Sequence, residues 1–278
     1  MICEDIMKVL EQQAPEAYAC SWDNVGLLVG SKEKEIQRIY VALDATDETI
    51  REAISAEADM LLTHHPLIFK GIKQVNTGDF IGRRVIELVK NDMAYYAMHT
   101  NFDISGMAQL AAEKLCLSET RTLQPEQGIF GENKEPMGIG VVGMLPKSMT
   151  LMECIAYVKK SFAVDPVKVF AVDGALNEDS KATDESVALE RVTRIAVCPG
   201  SGKGVIEDAL KARAQVLVTG DIDHHEGIDA VAQGMAILDA GHYGLEKMFI
   251  PYMQAYLKEQ LPGIDVIAQE PKQPFVYR

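Results

Sequence analysis

The strongest constraint on this chain is a likeness between two of its own segments. A shift of 156 residues lays Ile39–Thr63 on Ile195–Thr219 without a gap. It matches Ile39 with Ile195, Val41 with Val197, Ile50 with Ile206, Ala53 with Ala209, Ala56 with Ala212, Ala58 with Ala214, Leu61 with Leu217 and Thr63 with Thr219. Self-similarity at a fixed offset marks a duplicated supersecondary unit. Each copy runs from a short β-rich apolar stretch through a segment of helical period to a second apolar stretch, and so reads strand, helix, strand. Any two such units share small and aliphatic residues at core positions, so the matches alone leave duplication and generic patterning both open. The next element favours duplication. A further strand follows each copy, ending in His99-Thr-Asn-Phe-Asp103 in one and in His242-Tyr-Gly-Leu-Glu246 in the other, both His-x-x-x-acid.

The same alternation runs through the chain and predicts an α/β fold with largely parallel strands. The expected strands are Arg38–Leu43, Met60–Thr63, Met93–Met98, Ile139–Leu145, Val167–Val172, Val192–Cys198, Val216–Thr219 and Ala236–Leu238. Helices fit at Asp47–Glu57, Ile81–Lys90, Met107–Leu115, Leu151–Phe162, Gly204–Arg213 and, as one long element, Tyr243–Gln260. Two segments lack either period. Gln124–Glu135, punctuated by Pro125, Gly128 and Gly131, reads as a loop, and the polar, acidic Asp173–Glu190 reads as an exposed excursion. The first of these is the better boundary and divides the chain into approximate lobes 1–125 and 126–278.

Composition narrows the function classes. With 278 residues, 47% hydrophobic and 24% charged, the chain is long enough for one large unit or two modest lobes and has the make-up of an ordinary globular protein. Against 41 acidic side chains stand 27 basic ones, a formal charge of −14 that repels phosphate backbones and anionic membranes at long range and argues against nucleic acid as a partner. No stretch has the roughly 18 uncharged apolar residues of a membrane span, and the acidic start Met1-Ile2-Cys3-Glu4-Asp5 is not that of a secretory signal. The five cysteines are odd in number, widely spread and free of any C-x-x-C pair, which predicts thiols in a reducing compartment, the cytoplasm.

All six histidines fall just after expected strands or at the mouths of the helices that follow: His64 and His65, His99, His224 and His225, and His242. In open α/β sheets that edge is where ligands bind. In Thr63-His64-His65-Pro66 the proline stops the strand, so two neighbouring imidazoles can face one site instead of opposite faces; a hydrated polar turn is the alternative. His242 and Glu246, at i and i+4, share one face of a helix and fit either a surface hydrogen bond or two ligands of one metal. Asp103 is a better ligand candidate than His99, because a carboxylate can bridge two cations and balance their charge. Together His64, His65, Asp103, His242 and Glu246 exceed the three protein ligands of a mononuclear catalytic zinc and suit two divalent ions, with zinc, iron and manganese all compatible with mixed imidazole and carboxylate donors.

These residues carry a resemblance. The stretches Ser21-Trp-Asp-Asn-Val-Gly-Leu-Leu-Val-Gly30, Leu62-Thr-His-His-Pro-Leu-Ile-Phe69, His99-Thr-Asn-Phe-Asp103, Val218-Thr-Gly-Asp-Ile222 followed by His225, and Gly241-His-Tyr-Gly-Leu-Glu246 resemble the Nif-three-like dinuclear-metal protein family, whose members are also described as type-two GTP cyclohydrolase I homologues. The resemblance implies that His64, His65, Asp103, His242 and Glu246 bind two metals. It also implies a single Nif-three-like unit of two intertwined, pseudo-duplicated α/β lobes with the metal site between them, and a ring-shaped homohexamer. Two departures stand out. Asp223-His224-His225 replaces the basic and aromatic residues usual before that histidine. Only about 65 residues, Glu126 to Glu190, separate the halves, too few for the added central domain of some relatives.

The remaining conspicuous residues read as structural. Trp22, the only tryptophan, is expected in a packed core or lobe contact, Pro199-Gly-Ser-Gly202 as a tight strand-to-helix turn, and the 13 methionines as core filler. The leading function is a dinuclear metal-dependent hydrolase, cyclohydrolase-like or phosphoesterase-like, acting on a small anionic or nucleotide-like substrate, with His99 or His225 carrying a proton. The alternatives are a metal-binding regulatory or scaffold protein without turnover, and a purely structural metal.

Overall fold

The computed structural model describes residues 1–131, 133–172, 175–176, 191–276 and 278. The chain divides into two compact units, one built from Met1–Gly106 and Lys247–Lys272, the other from Met107–Glu246 and Gln273–Arg278. The excursion expected at 173–190 lies outside the described residues apart from 175 and 176.

The first unit starts with α1 (Cys3–Gln13) and is organised on a five-stranded sheet of β1 (Gly26–Val29), β2 (Arg38–Ala42), β3 (Met60–Thr63), β4 (Ala94–Ala97) and β11 (Asp265–Ala268) in the order β1-β4-β3-β2-β11. Strands β11, β2, β3 and β4 run parallel, and β1 closes the edge antiparallel to β4. Between them lie α2 (Asp47–Ser55) and α3 (Phe80–Lys90). Thr46 caps α2 by accepting the Thr49 N–H, and Asp79 caps α3 through Ile81 and Gly82. Ile50, Ala53, Val85 and Leu88 from these helices pack on Tyr40, Leu61 and Tyr95 of the strands. The short α4 (Thr100–Phe102) runs into a π-helical turn, Asp103–Met107.

The second unit continues with α5 (Ala108–Lys114) and carries a six-stranded sheet of β5 (Ser118–Phe130), β6 (Pro136–Met149), β7 (Lys168–Phe170), β8 (Val192–Ser201), β9 (Val216–Gly220) and β10 (Ala236–Asp239), ordered β5-β6-β8-β9-β10-β7. Its helices are α6 (Leu151–Phe162), α7 (Ile206–Lys211), α8 (His224–Ala232) and α9 (His242–Glu246); α10 (Phe249–Gln260) belongs to the first unit. Val205, Ile206, Ala209 and Ala230 pack on Ala196, Leu217 and Ile237. No described helix is long and apolar enough to cross a membrane.

The duplication is visible in hydrogen bonds. Strand β2 meets β3 with Ile39 opposite Met60, and β8 meets β9 with Ile195 opposite Val216, the same pairing displaced by 156 residues. The turns agree as well. Ala58 N donates to Ala53 O as Ala214 N does to Ala209 O, both at 3.0 Å, and Asp59 N donates to Arg38 O as Gln215 N does to Arg194 O, both at 2.9 Å. Both sheets then add a parallel third strand and an antiparallel fourth. The His-x-x-x-acid likeness, by contrast, is out of step by one residue. Met98 N binds Thr63 O and Ala240 N binds Thr219 O, which sets Met98 against Ala240 and therefore Thr100, not His99, against His242.

Several expectations need correction. Gln124–Glu135 is not a free loop, since most of it lies in β5, which pairs antiparallel with β6. Strand β5 is an edge strand with one buried residue, Leu123, so it lacks the alternation that a half-buried strand displays. The long helix expected over Tyr243–Gln260 is two helices, α9 and α10. Strands β1 and β11 and helices α1 and α8 were not anticipated; β1 and β11 are four-residue edge elements with too few positions to set a period.

Candidate metal centre

In the first unit β3 ends at Thr63, and His65 N still donates to Leu43 O at 3.0 Å before Pro66 ends the ladder. The kink is held from three sides. The His65 carbonyl accepts from the Thr63 hydroxyl at 2.8 Å and from the Tyr95 hydroxyl at 2.9 Å, and the Tyr95 oxygen accepts the Leu67 N–H at 2.7 Å. Burial raises the Tyr95 pKa well above its usual value, keeping the phenol protonated for this role. The kink sets both imidazoles beside His99, which follows β4 and is held by Asp23. Ring centroids of His64 and His65 are 4.8 Å apart, those of His64 and His99 5.3 Å, and those of His65 and His99 5.6 Å. One ring nitrogen of each lies within 4.8 Å of the others.

Asp103 reaches this group from the first residue of the π-helical turn, its Oδ1 3.4 Å from His64 Nε2. Such a wide turn inserts one residue into the helical spacing and is frequent at functional sites. Behind the cluster, the Phe249 ring packs 5.3 Å from that of His64 and Phe102 lies edge-on at 6.3 Å.

The second unit presents His242 and Glu246 on α9, with Nε2 to Oε2 at 2.9 Å and the carboxylate buried. Two glycines make the room. Gly200, at φ +75°, occupies a conformation unfavourable for a side chain, and a Cβ there would overlap Glu246 Oε1. Gly220, in the Val218-Thr-Gly-Asp stretch, lets the backbone of His242 pass; a Cβ would sit 2.5 Å from its nitrogen. The Pro199–Gly202 stretch is, as expected, a strand end leading into a helical turn, Gly202–Val205. His225 lies exposed on the first turn of α8, its ring 5.2 Å from that of His224.

One feature recurs at four imidazoles. His64 Nδ1 pairs with Met98 O at 2.7 Å, His65 Nδ1 with Asp44 Oδ1 at 2.8 Å, His99 Nδ1 with Asp23 Oδ1 at 2.9 Å and His242 Nδ1 with Asp221 Oδ2 at 2.7 Å. A carbonyl or an ionised carboxylate can only accept, so each Nδ1 carries the proton and each Nε2 carries the lone pair. Metal-binding histidines are held in this way by oxygens behind them. At His64 and His242 the Nε2 lone pair faces a carboxylate oxygen, an arrangement favourable only with a cation between them, a proton or a metal ion. The donor set fits a divalent metal on both counts.

Asp23 is the most constrained of the orienting carboxylates. Its side chain has no exposed surface, and it accepts from His99, from the Thr100 N–H at 3.0 Å and from the Thr100 hydroxyl at 2.5 Å. Burial pushes its pKa upward, but the bonds from His99 and Thr100 outweigh that and hold it below the usual carboxylate range.

Asp23, Asp44 and Asp221 escaped the reading of the sequence as site residues. Asp23 and Asp221 lie inside the stretches Ser21–Gly30 and Val218–Ile222, and Asp44 follows the C-terminal end of β2. Asp221 adopts φ +56°, an uncommon conformation that Asp tolerates better than most residues. Trp22 is also corrected. It is 59% exposed, not a core residue, because it occupies a surface turn, and its ring lies 5.8 Å from that of Phe69 and 6.1 Å from that of His99.

Known proteins resemble this chain along nearly its whole length. A curated relative from Clostridium perfringens, described as a GTP cyclohydrolase 1 type 2 homolog, is 36% identical, with all of both chains covered. One from Streptococcus pneumoniae with the same description is 31% identical over 93% of this chain and 91% of its own. Among solved structures, a Staphylococcus aureus hypothetical protein superposes with a TM-score of 0.84 at 28% identity, covering 100% of this chain and 99% of its own. Reduced HcgD from Methanocaldococcus jannaschii gives 0.77 at 28% identity, with 96% and 97% covered. The family model Duf34/NIF3 (NGG1p interacting factor 3) matches residues 1–274. Matched by that model and by these relatives over a fold of two α/β sheets, the chain belongs to the Duf34/NIF3 family.

Proposed function

We propose that this protein is a metal-dependent hydrolase that holds two divalent ions through His64, His65, Asp103, His242 and Glu246 and acts on a small anionic or nucleotide-like substrate. The observation that carries the reading is the common orientation of the imidazoles, each with Nδ1 donated to an oxygen and Nε2 left to ligate. Zinc, iron or manganese suits these donors. Bound there, the ions would supply Lewis-acid activation of water and stabilisation of developing negative charge.

The chain's own residues do the rest. Asp44, Asp221 and the Met98 carbonyl fix ring orientation, and Asp23 fixes His99 so that its Nε2 can accept and return a proton. His225, on the helix after β9, is the second proton-carrier candidate. Its neighbouring strand β10 leads to His242, so both follow adjacent strands of one sheet edge. The formal charge of −14 keeps long polyanions away and favours small substrates. The cysteine pattern supports a reducing, cytoplasmic setting, and the resemblance to a family of ring-shaped hexamers supports a homohexamer.

Elemental analysis after anaerobic purification and reconstitution tests the ligand set. About two ions per chain are expected, and fewer in Glu246→Gln, whose neutral amide is a poorer donor. Occupancy of one ion or less in the wild type, or unchanged occupancy in the variant, counts against it. Turnover is tested on nucleotides, phosphoesters and cyclic amides. His225→Ala should lower it while leaving metal content intact, and a fully loaded wild type inactive on the whole panel would give precedence to a regulatory or scaffold role.

A further inference from the structure

Two large aromatic side chains stand in the open beside the imidazole cluster, outside both the ligand set and the proton-carrying histidines. Trp22 is 59% exposed and Phe69 43%. Neither sits on loose chain. The Asn24 side-chain amide donates to Ile68 O at 2.5 Å and so ties the two loops together, Cys20 N donates to Thr100 Oγ1 at 2.9 Å, and Asp23 is fixed by His99 and Thr100. Trp22 is thus braced on both sides. The two rings are 5.8 Å apart and tilted by 54°, so they do not cover each other's faces. Each meets His99 nearly edge-on, Trp22 at 76° and 6.1 Å, Phe69 at 73° and 6.2 Å.

We propose that Trp22 and Phe69 form a shelf that receives the flat nitrogen heterocycle of a small ligand, with His99 at its inner edge. The proposal deepens the function proposed above and rests on it. A ring of that kind matches each part of the arrangement. Its face stacks on the electron-rich indole, an interaction open to any heteroaromatic base. Its ring or exocyclic N–H can meet His99 Nε2, which is the acceptor because Nδ1–H is committed to Asp23. An aliphatic or purely apolar partner would cover the rings but leave that nitrogen dry, at a desolvation cost. The acidic surface meanwhile disfavours a nucleic acid strand, which leaves a free, nucleotide-sized molecule.

Trp22 is the only tryptophan in the chain, so intrinsic fluorescence reads the shelf directly. The probes are AMP, GMP and nicotinamide mononucleotide, with ribose 5-phosphate as the ringless control, added to the metal-loaded full chain. At least one ring-bearing probe should quench Trp22 saturably, and ribose 5-phosphate should not. By calorimetry, Trp22→Ala should weaken that probe about tenfold or more, the size of one lost base-aromatic stack, and Phe69→Ala, which removes an edge contact to the same ring, should weaken it severalfold, with metal content unchanged. Absence of quenching by every probe overturns the proposal, as does equal affinity for ribose 5-phosphate or unchanged affinity in both variants. So does a native Trp22 shielded from acrylamide and a Trp22→Ala protein of smaller assembly mass, which would make the shelf a contact between copies. In all these cases, metal binding and turnover of a ringless phosphoester would still stand, so the shelf can fail while the hydrolase reading survives. Loss of metal binding itself would instead remove the hydrolase reading.

Discussion

At the scale of single residues, Asp23 shows how much one buried carboxylate can organise. Asp23→Ala would strip the acceptor from His99 Nδ1, from the Thr100 N–H and from its hydroxyl. Urea unfolding should register a loss of about 3 kcal/mol, the scale of leaving more than one buried donor unsatisfied. The sign with pH follows from its lowered pKa. The stability Asp23 contributes is complete above the unfolded value of about 3.9 and is lost as pH falls through the lower folded value, so the variant should have a flatter acid limb than the wild type. Thiol reactivity offers a second test. The five cysteines form no disulfide; Cys116 is exposed, while Cys3, Cys154 and Cys198 are buried, and burial pushes the Cys154 thiol up to about 12. Ellman's reagent at pH 8 should therefore reach Cys116 first and those three only on unfolding. The types of side chain suited to bind metal were legible in the sequence because His-His-Pro and His-x-x-x-Glu are local. Their orienting partners were not, since Asp23 lies 76 residues from His99 and Asp44 lies 21 from His65, distances that only the closed sheet removes.

At the scale of elements, the duplicated βαβ units differ where chemistry is required. The shift of 156 residues that superimposes their hydrogen bonds places Gly200 where the first unit has Asp44, Gly220 where it has His64, and Asp221 where it has His65. One copy offers a histidine pair braced by a carboxylate. The other offers space and a bracing carboxylate for α9. Gly200→Ala tests the value of that space: the new methyl must displace the Glu246 carboxylate and strain a backbone at φ +75°, so metal occupancy should fall clearly while far-ultraviolet circular dichroism stays close to wild type. Core strands such as Met60–Thr63 were readable because they are buried on both faces and uninterrupted. Strand β5 was not, because its pairing with β6 buries almost none of its side chains and it carries Pro125 and Gly128.

At the scale of the whole molecule, each unit has its own apolar core, and the surplus of acidic groups is shared by a chain whose like charges repel one another. Raising sodium chloride from about 10 to about 150 mM shortens the screening length from roughly 30 to 8 Å, and the melting temperature should rise by about 3 °C, the effect of ~1 kcal/mol. Light scattering at micromolar concentration should return the mass of six chains, and a monomer would end the hexamer proposal. The discontinuity of the first unit has a different consequence. Its sheet ends in β11, at Asp265–Ala268, and the ring beside His64 belongs to Phe249, whereas the second unit's sheet is complete by Asp239. A ribosome making this chain therefore releases every strand of the later sheet before it can finish the earlier one. The first-made half must wait, with the β2 edge unpaired, until β11 has emerged. A stalled or truncated nascent chain would carry both histidines of the His64–His65 pair yet lack the strand that pairs with β2 and the helix whose Phe249 packs on His64, so the exposed sheet edge of the opening half is the surface a chaperone would have to shield.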